Sequence, residues 1–156
     1  MIVLSPRPRI LVIALRRIGD VLLTTPLIRS LRRAWPDARV EVLVFADTVG
    51  ILKGNPDLDE LIALPARPGA GQSLKLAMQI AKRYDLAIST QSGDRPTFFA
   101  ALAGRVSVAP LGQGGAMGAL KRTLITHAVP VTSGIHRVEE MLQLADAIGE
   151  IGRAHV

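Results

Sequence analysis

The feature that most constrains this chain is an abrupt change of pattern near its start. Ile10 to Leu15 (ILVIAL) is an unbroken apolar run that gives way to Arg16-Arg17-Ile18-Gly19-Asp20. A helix-period segment carrying Leu22, Leu23, Leu27, Ile28 and Leu31 follows at once. A short apolar run bounded by a turn signal reads as a strand buried on both faces of a parallel sheet. Strand, glycine-containing turn and helix form the first half of a βαβ unit, and open α/β sheets gather ligands at the carboxyl ends of such strands. This turn places two arginines and one carboxylate at that edge, so it offers anion binding and a base together.

The pattern repeats along the chain. Strands are expected at Val40–Phe45, Leu58–Leu64, Tyr84–Ser89, Arg105–Val108 and Leu124–Val131. Helices are expected at Asp47–Lys53, after Ser73 as N-cap with Leu74, Ala77, Met78 and Ala81 buried, at Thr97–Ala103, and at His136–Ile148 with Gly149 as its stop. Pro65–Gly71 and Gly112–Gly118 read as loops. Alternating strands and helices imply a Rossmann-like, doubly wound, mostly parallel sheet in one domain, residues 1–149. Glu150 to Val156 has no period of either kind. It reads like the in-frame translation of a sequencing adapter and is set apart from the fold.

Composition narrows the function. The chain is 49% hydrophobic, with a mean hydropathy of +0.32, which suits a packed core. Its net charge of +6 would suit a nucleic-acid binder, but aromatic residues are only 3% and no helix-turn-helix or zinc-knuckle pattern is present. We therefore expect no nucleic-acid partner. With no cysteine there is no disulfide or thiol nucleophile, and no metal-ligand spacing stands out. The absence of a long apolar segment points to a soluble cytoplasmic protein.

Asp20 has two readings of equal weight, a general base on a substrate hydroxyl or the N-cap of the helix that follows. Gly19 stands alone in its turn, so the three-glycine dinucleotide fingerprint is not met. His136, before the last helix, is either a ligand contact or an exposed capping residue. His127 is expected in a strand core or edge. Gly112-Gln113-Gly114-Gly115 could cradle an anion with its backbone N–H groups, but no P-loop Lys-Ser/Thr follows. Arg29, Arg32 and Arg33 read as the solvated face of the first helix, or as cations turned toward an anionic membrane surface.

The run RRIGDVLLTTPLIRSLRRAWPDARVEVLV resembles the start of the glycosyltransferase family 9 heptosyltransferases, and GDVLLTTP is most like the branch described as heptosyltransferase III. The likeness continues through Asn55-Pro56-Asp57, Tyr84-Asp85, Asp94-Arg95-Pro96-Thr97 and His136-Arg137-Val138-Glu139, and so covers nearly all of residues 9–149. It implies the N-terminal, acceptor-binding half of a GT-B fold, without the C-terminal donor domain. It also implies inverting transfer of heptose from the nucleotide sugar ADP-heptose to the lipopolysaccharide inner core, with no cofactor and no metal. On this resemblance Asp20 is the base that deprotonates the acceptor hydroxyl. Arg95 matches a basic residue facing the phosphorylated acceptor. Arg16 and Arg17, inferred from charge, and Gly19 and His136 complete the acceptor-binding set. Ser89-Thr90 stand where several relatives carry Asp or Asn. Peripheral contact with the cytoplasmic face of the inner membrane follows from such an acceptor. The alternative from another class is a non-catalytic α/β module binding an anionic sugar or phosphate; a flavodoxin- or receiver-like domain lacks its acidic cluster here.

Overall fold

The apolar run at the start becomes the middle of a six-stranded, all-parallel sheet. In this computed structural model, which describes residues 4–112, 114–131 and 134–153, the strands are β1 (Arg9–Ala14), β2 (Arg39–Phe45), β3 (Glu60–Leu64), β4 (Tyr84–Ser89), β5 (Gly104–Leu111) and β6 (His127–Pro130). Their spatial order is β3-β2-β1-β4-β5-β6, so the winding direction reverses between β1 and β4. Register follows suit: Val12 lies opposite Val42 on one side and Ile88 on the other. Burial on both faces is what an unbroken ILVIAL run requires.

Alternation along β1 divides the core in two. Ile10, Val12 and Ala14 face one layer with α2 (Thr25–Ala34), α3 (Val49–Leu52) and α7 (Arg137–Arg153), through Leu27, Ile28, Leu31, Leu52 and Leu144. Leu11, Ile13 and Leu15 face the other, with α4 (Ala70–Ile80) and α5 (Asp94–Ala103), through Leu76, Ile80, Phe99 and Ala100. α6 (Gly115–Leu124) lies alongside α5. Gly104 permits the close approach of β5 to β4: a Cβ there would come within 2.7 Å of Ala87 Cβ.

Several boundaries depart from the sequence expectation. The segment after β1 is two helices, the five-residue α1 (Ile18–Leu22) and then α2. Pro26 has no N–H to donate to the Leu22 carbonyl, and Thr25 supplies its hydroxyl there instead at 2.9 Å. Leu22 is consequently exposed and Val21 buried. A 3-10 turn at Ala46–Thr48 precedes α3. α4 begins a turn earlier than Ser73 would cap it, with the Gly69 N–H donating to Gln72 Oε1 at 2.9 Å. It buries Leu76 and Ile80, leaving Leu74 and Met78 62% and 70% exposed. The glycine-rich stretch is not a loop throughout, because α6 starts at Gly115; Gly114 and Gly115 both adopt positive φ at its entry. His127 is exposed at the head of edge strand β6. α7 continues past Gly149 to Arg153, so the expected stop is not used. Gln113 and residues 154–156 lie outside the described residues.

Two polar clusters pin the amino end of the sheet. Arg32, expected to be solvated, is committed internally: its guanidinium donates to the carbonyls of Asp57, Pro36 and Ala38 at 3.1, 3.0 and 2.7 Å and pairs with Asp59 at 2.8 Å. Burial alone would raise the Asp59 carboxyl, but the Val40 N–H and Arg32 hold it below its ordinary range. Beside it the buried Glu41 accepts from the Tyr84 hydroxyl at 3.2 Å and pairs with Arg9 and Arg39 at 3.4 and 3.3 Å. Arg32→Ala should therefore cost about 1.5–3 kcal/mol, the range for hydrogen bonds to charged groups. Arg33→Ala on the exposed face should stay within about 0.5 kcal/mol. Denaturant titration of both variants reads the contrast, and equal costs would remove Arg32 from the role of pin.

Tyr84 adds a pH signature. Burial, then the nearby Glu41 carboxylate, raises its phenol to about 12. The native state thus holds this proton more tightly than the unfolded chain, whose phenol titrates near 10. The stability involved is complete below about pH 10 and is lost as pH rises toward about 12. Tyr84 is the only tyrosine, so tyrosinate absorbance reports it alone. A transition near pH 10 in the folded protein would contradict this.

Candidate functional site

The reversal between β1 and β4 leaves a crevice outside their carboxyl ends, where an open α/β sheet binds ligands. A cavity of about 660 Å³ occupies it. Its wall combines Leu15, Arg16, Arg17 and Asp20 after β1, Thr90 to Gly93 after β4, and Arg137, Glu140 and Gln143 from α7. α7 is held over the crevice by buried Met141 and Leu144.

The chemistry centres on Asp20. It sits in the first turn of α1, while the capping position is Arg17, which makes no side-chain capping bond. The N-cap reading is thereby removed. Asp20 Oδ2 lies 3.5 Å from Arg16 Nε, and Oδ1 lies 3.4 Å from Arg137 Nε. These separations exceed the 2.7–2.9 Å or so of a charge-assisted hydrogen bond, so the carboxylate retains acceptor capacity for a hydroxyl. With Asp20 about a quarter exposed (27%), such pairs are worth no more than about 1 kcal/mol each to stability. Arg137 also pairs with Glu140 at 2.6 Å. Burial first, then the facing Arg137, lowers the Arg16 guanidinium from its ordinary range. Three arginines against two carboxylates leave the wall one positive charge in excess, which favours an anionic ligand.

Neutral groups line the floor. Thr90 donates its hydroxyl to the Ile13 carbonyl at 2.9 Å, and Ser89 donates to the Gln91 carbonyl at 2.6 Å. Gln91 Nε2 donates to the Leu15 carbonyl at 3.2 Å and ties the two strand ends together. That bond orients the amide and leaves Gln91 Oε1 buried with no donor among the described residues. A bare oxygen of this kind costs about 1–3 kcal/mol, which a ligand hydroxyl or an ordered water would offset. Among the described residues no three His, Asp or Glu side chains converge as a metal site would require.

The structure brings together only part of the set expected from sequence. Arg16, Arg17 and Asp20 share the cavity. Gly19 lines a neighbouring, more open cavity with Phe45, Asp47 and Thr48. Arg95 does not reach the crevice: α5 buries Pro96, Thr97, Phe99 and Ala100, and Arg95 stands exposed off that face, lining none of the cavities described. His136 is exposed before α7, its carbonyl accepting from the Glu140 N–H at 3.1 Å, and the neighbouring Arg137 takes the place at the cavity wall. Arg137, Glu140 and Gln91 join the crevice from outside the set expected from sequence. The Arg137–Glu140 spacing, one helical turn, was the available signal. Near α6, Lys121 pairs with Asp94 and donates to the Ser92 carbonyl, so that cavity has a basic residue that the glycine run does not show.

The chain is 32% identical over 139 residues, 84% of its length, to lipopolysaccharide heptosyltransferase 3 of Escherichia coli K12, of which it spans 40%. A second Escherichia coli protein of that name is 38% identical over 78 residues, 46% of this chain and 23% of the relative. No protein-family model matches. Among solved structures, a glycosyl transferase family 9 protein from Veillonella parvula superposes with a TM-score of 0.75 at 22% identity, covering 93% of this chain and 42% of that one. The Escherichia coli heptosyltransferase WaaC with ADP gives 0.72 at 19% identity, covering 89% and 46%. The fold is thus a Rossmann-like α/β domain similar to part of the glycosyl transferase family 9 structure. The chain is similar in sequence to two proteins named lipopolysaccharide heptosyltransferase 3, and spans less than half the length of either.

Anion binding is directly measurable. Arg16→Ala or Arg137→Ala should weaken pyrophosphate binding about 10- to 100-fold in calorimetry, the equivalent of one lost charge-assisted contact. Arg95→Ala should leave it unchanged. The reverse order would move the anion site to α5.

Proposed function

We propose that this chain is the acceptor-binding, N-terminal part of a lipopolysaccharide core heptosyltransferase, with the donor ADP-heptose gripped mainly by a second domain outside residues 1–149. The observation that carries this reading is the Asp20 carboxylate set between Arg16 and Arg137 at the β1–β4 crevice. The arginines would take phosphate on an inner-core sugar, bidentately where geometry allows. Asp20 would accept the proton of the attacking hydroxyl as its oxygen bonds to the anomeric carbon. The bond from that carbon to the diphosphate breaks from the opposite side, inverting the centre and releasing ADP. Such a reaction draws much of its rate from alignment of base, hydroxyl and donor. The relatives' names, lipopolysaccharide heptosyltransferase 3 and a heptosyltransferase with ADP, support the substrate class. Among the described residues no helix is long and apolar enough to cross a membrane.

The test measures ADP release from ADP-heptose with a heptose-deficient lipopolysaccharide. The 156-residue chain should show no turnover beside the Escherichia coli relative. In a full-length enzyme carrying this segment, Asp20→Asn should melt normally yet lose about a hundredfold or more in kcat. Turnover by the chain alone that matches the relative would overturn the division of labour. Unchanged kcat in Asp20→Asn would favour a binding module.

A further inference from the structure

The stretch that builds α4, α5 and α6 differs in charge from the rest of the chain. Residues 65–131, which supply α4, α5 and α6, hold eight lysines and arginines against two acidic residues, Asp85 and Asp94, while the rest of the chain holds eleven of each. The whole excess of +6 falls in this stretch, which also includes β4, β5 and β6; its three helices carry Lys75, Arg95, Lys121 and Arg122 against Asp94. The same layer carries an unusual display of exposed apolar side chains: Leu74 and Met78 on α4, Leu102 on α5, and Met117, Leu120 and Leu124 on α6. The α6 residues recur every three or four positions and are 45–48% exposed, and α6 buries no residue at all. Arg122 and Lys75 stand exposed among them.

We propose that the outer surface of the α4–α5–α6 layer docks on an anionic lipid bilayer. Leucine and methionine side chains flanked by lysine and arginine suit the boundary between headgroups and acyl chains, where apolar burial and attraction to anionic lipid add. Nucleic acid would match the charge but not the apolar stripe, and the chain's few aromatic residues offer no stacking. Position supports the assignment too. Met117 and Lys121 line a cavity with Ser92, and Ser92 also lines the Asp20 crevice, so the layer reaches the rim of the candidate site. A bilayer on this face would present a lipid-anchored glycan to that rim. This deepens the proposed acceptor reading and moves the membrane face away from α2, whose Arg32 is spent on internal bonds.

Vesicle co-sedimentation tests it without donor or acceptor. The chain should bind vesicles of equal parts phosphatidylcholine and phosphatidylglycerol, and not phosphatidylcholine alone. Met117→Gln/Leu120→Gln/Leu124→Gln, which removes no buried side chain, should weaken partitioning about tenfold or more. Leu74→Gln/Met78→Gln on α4 should act in the same direction, independently of how α6 folds. Arg29→Glu/Arg33→Glu on the opposite layer should bind as the parent does. Retained binding in both glutamine variants, or loss in the α2 variant, overturns the proposal. So does duplex DNA that competes fully with vesicles at equal salt, or a dimer that the glutamine variants split while lipid binding stays unchanged. Asp20→Asn should leave sedimentation untouched, which separates failure of docking from failure of the transfer reading.

Discussion

Everything in this molecule depends on burying β1 on both faces. Ile10 to Ala14 are fully shielded from water, with alternate side chains feeding two separate cores. At about 1.5–3 kcal/mol for each large apolar side chain fully buried, this short strand is a principal source of hydrophobic stability. Because β1 is central, the chain must wind outward from it in both directions, and the reversal leaves a crevice at its carboxyl end. The candidate site is thus a consequence of core packing. Arg16, Arg17 and Asp20 occupy it because they are the residues that follow β1.

The polar groups divide the work between the two ends of the sheet. At the amino end, Arg32 and the Glu41–Tyr84 pair satisfy buried carbonyls and strand ends, and their hydrogen bonds fall near 2.7–3.2 Å. At the carboxyl end, Asp20 is held at longer range by two guanidinium groups, and Gln91 keeps one buried oxygen without a donor among the described residues. The first arrangement is closed and stabilising. The second is open, as a site that must exchange its contacts for those of a ligand has to be.

The two helical layers are likewise unequal. α2, α3 and α7 hold five arginines against four acidic residues, and α7 supplies Arg137 and Glu140 to the crevice. The α4–α5–α6 layer is cationic and leaves α6 with no buried residue. α6 holds its place partly through Lys121, which pairs with Asp94 and bonds the Ser92 carbonyl, and through Arg122 on the Gly112 carbonyl. Polar anchoring of this helix leaves its apolar stripe exposed.

The amino-acid order determined the strands, because runs such as ILVIAL and VEVLVF carry their burial pattern locally, and it determined that the β1 turn would bear Asp20 and two arginines. It was ambiguous wherever a segment offers two apolar faces. In α4, Leu74 and Met78 form one helical row and Leu76 and Ile80 another, and only packing against the sheet chose the second. Helix limits depended on single backbone groups, such as the missing Pro26 N–H, whereas Gly149 did not stop α7. The site's remaining members were decided by tertiary structure alone. Arg137 lies 117 positions from Asp20 and meets it only because α7 folds back across the crevice. Arg95, which sequence likeness placed at the acceptor, stands exposed beside buried Pro96 and Thr97 and outside the crevice lining. Local pattern fixes which face of a strand is apolar; which helix face is covered, and which charges meet, depends on contacts between residues distant in the chain.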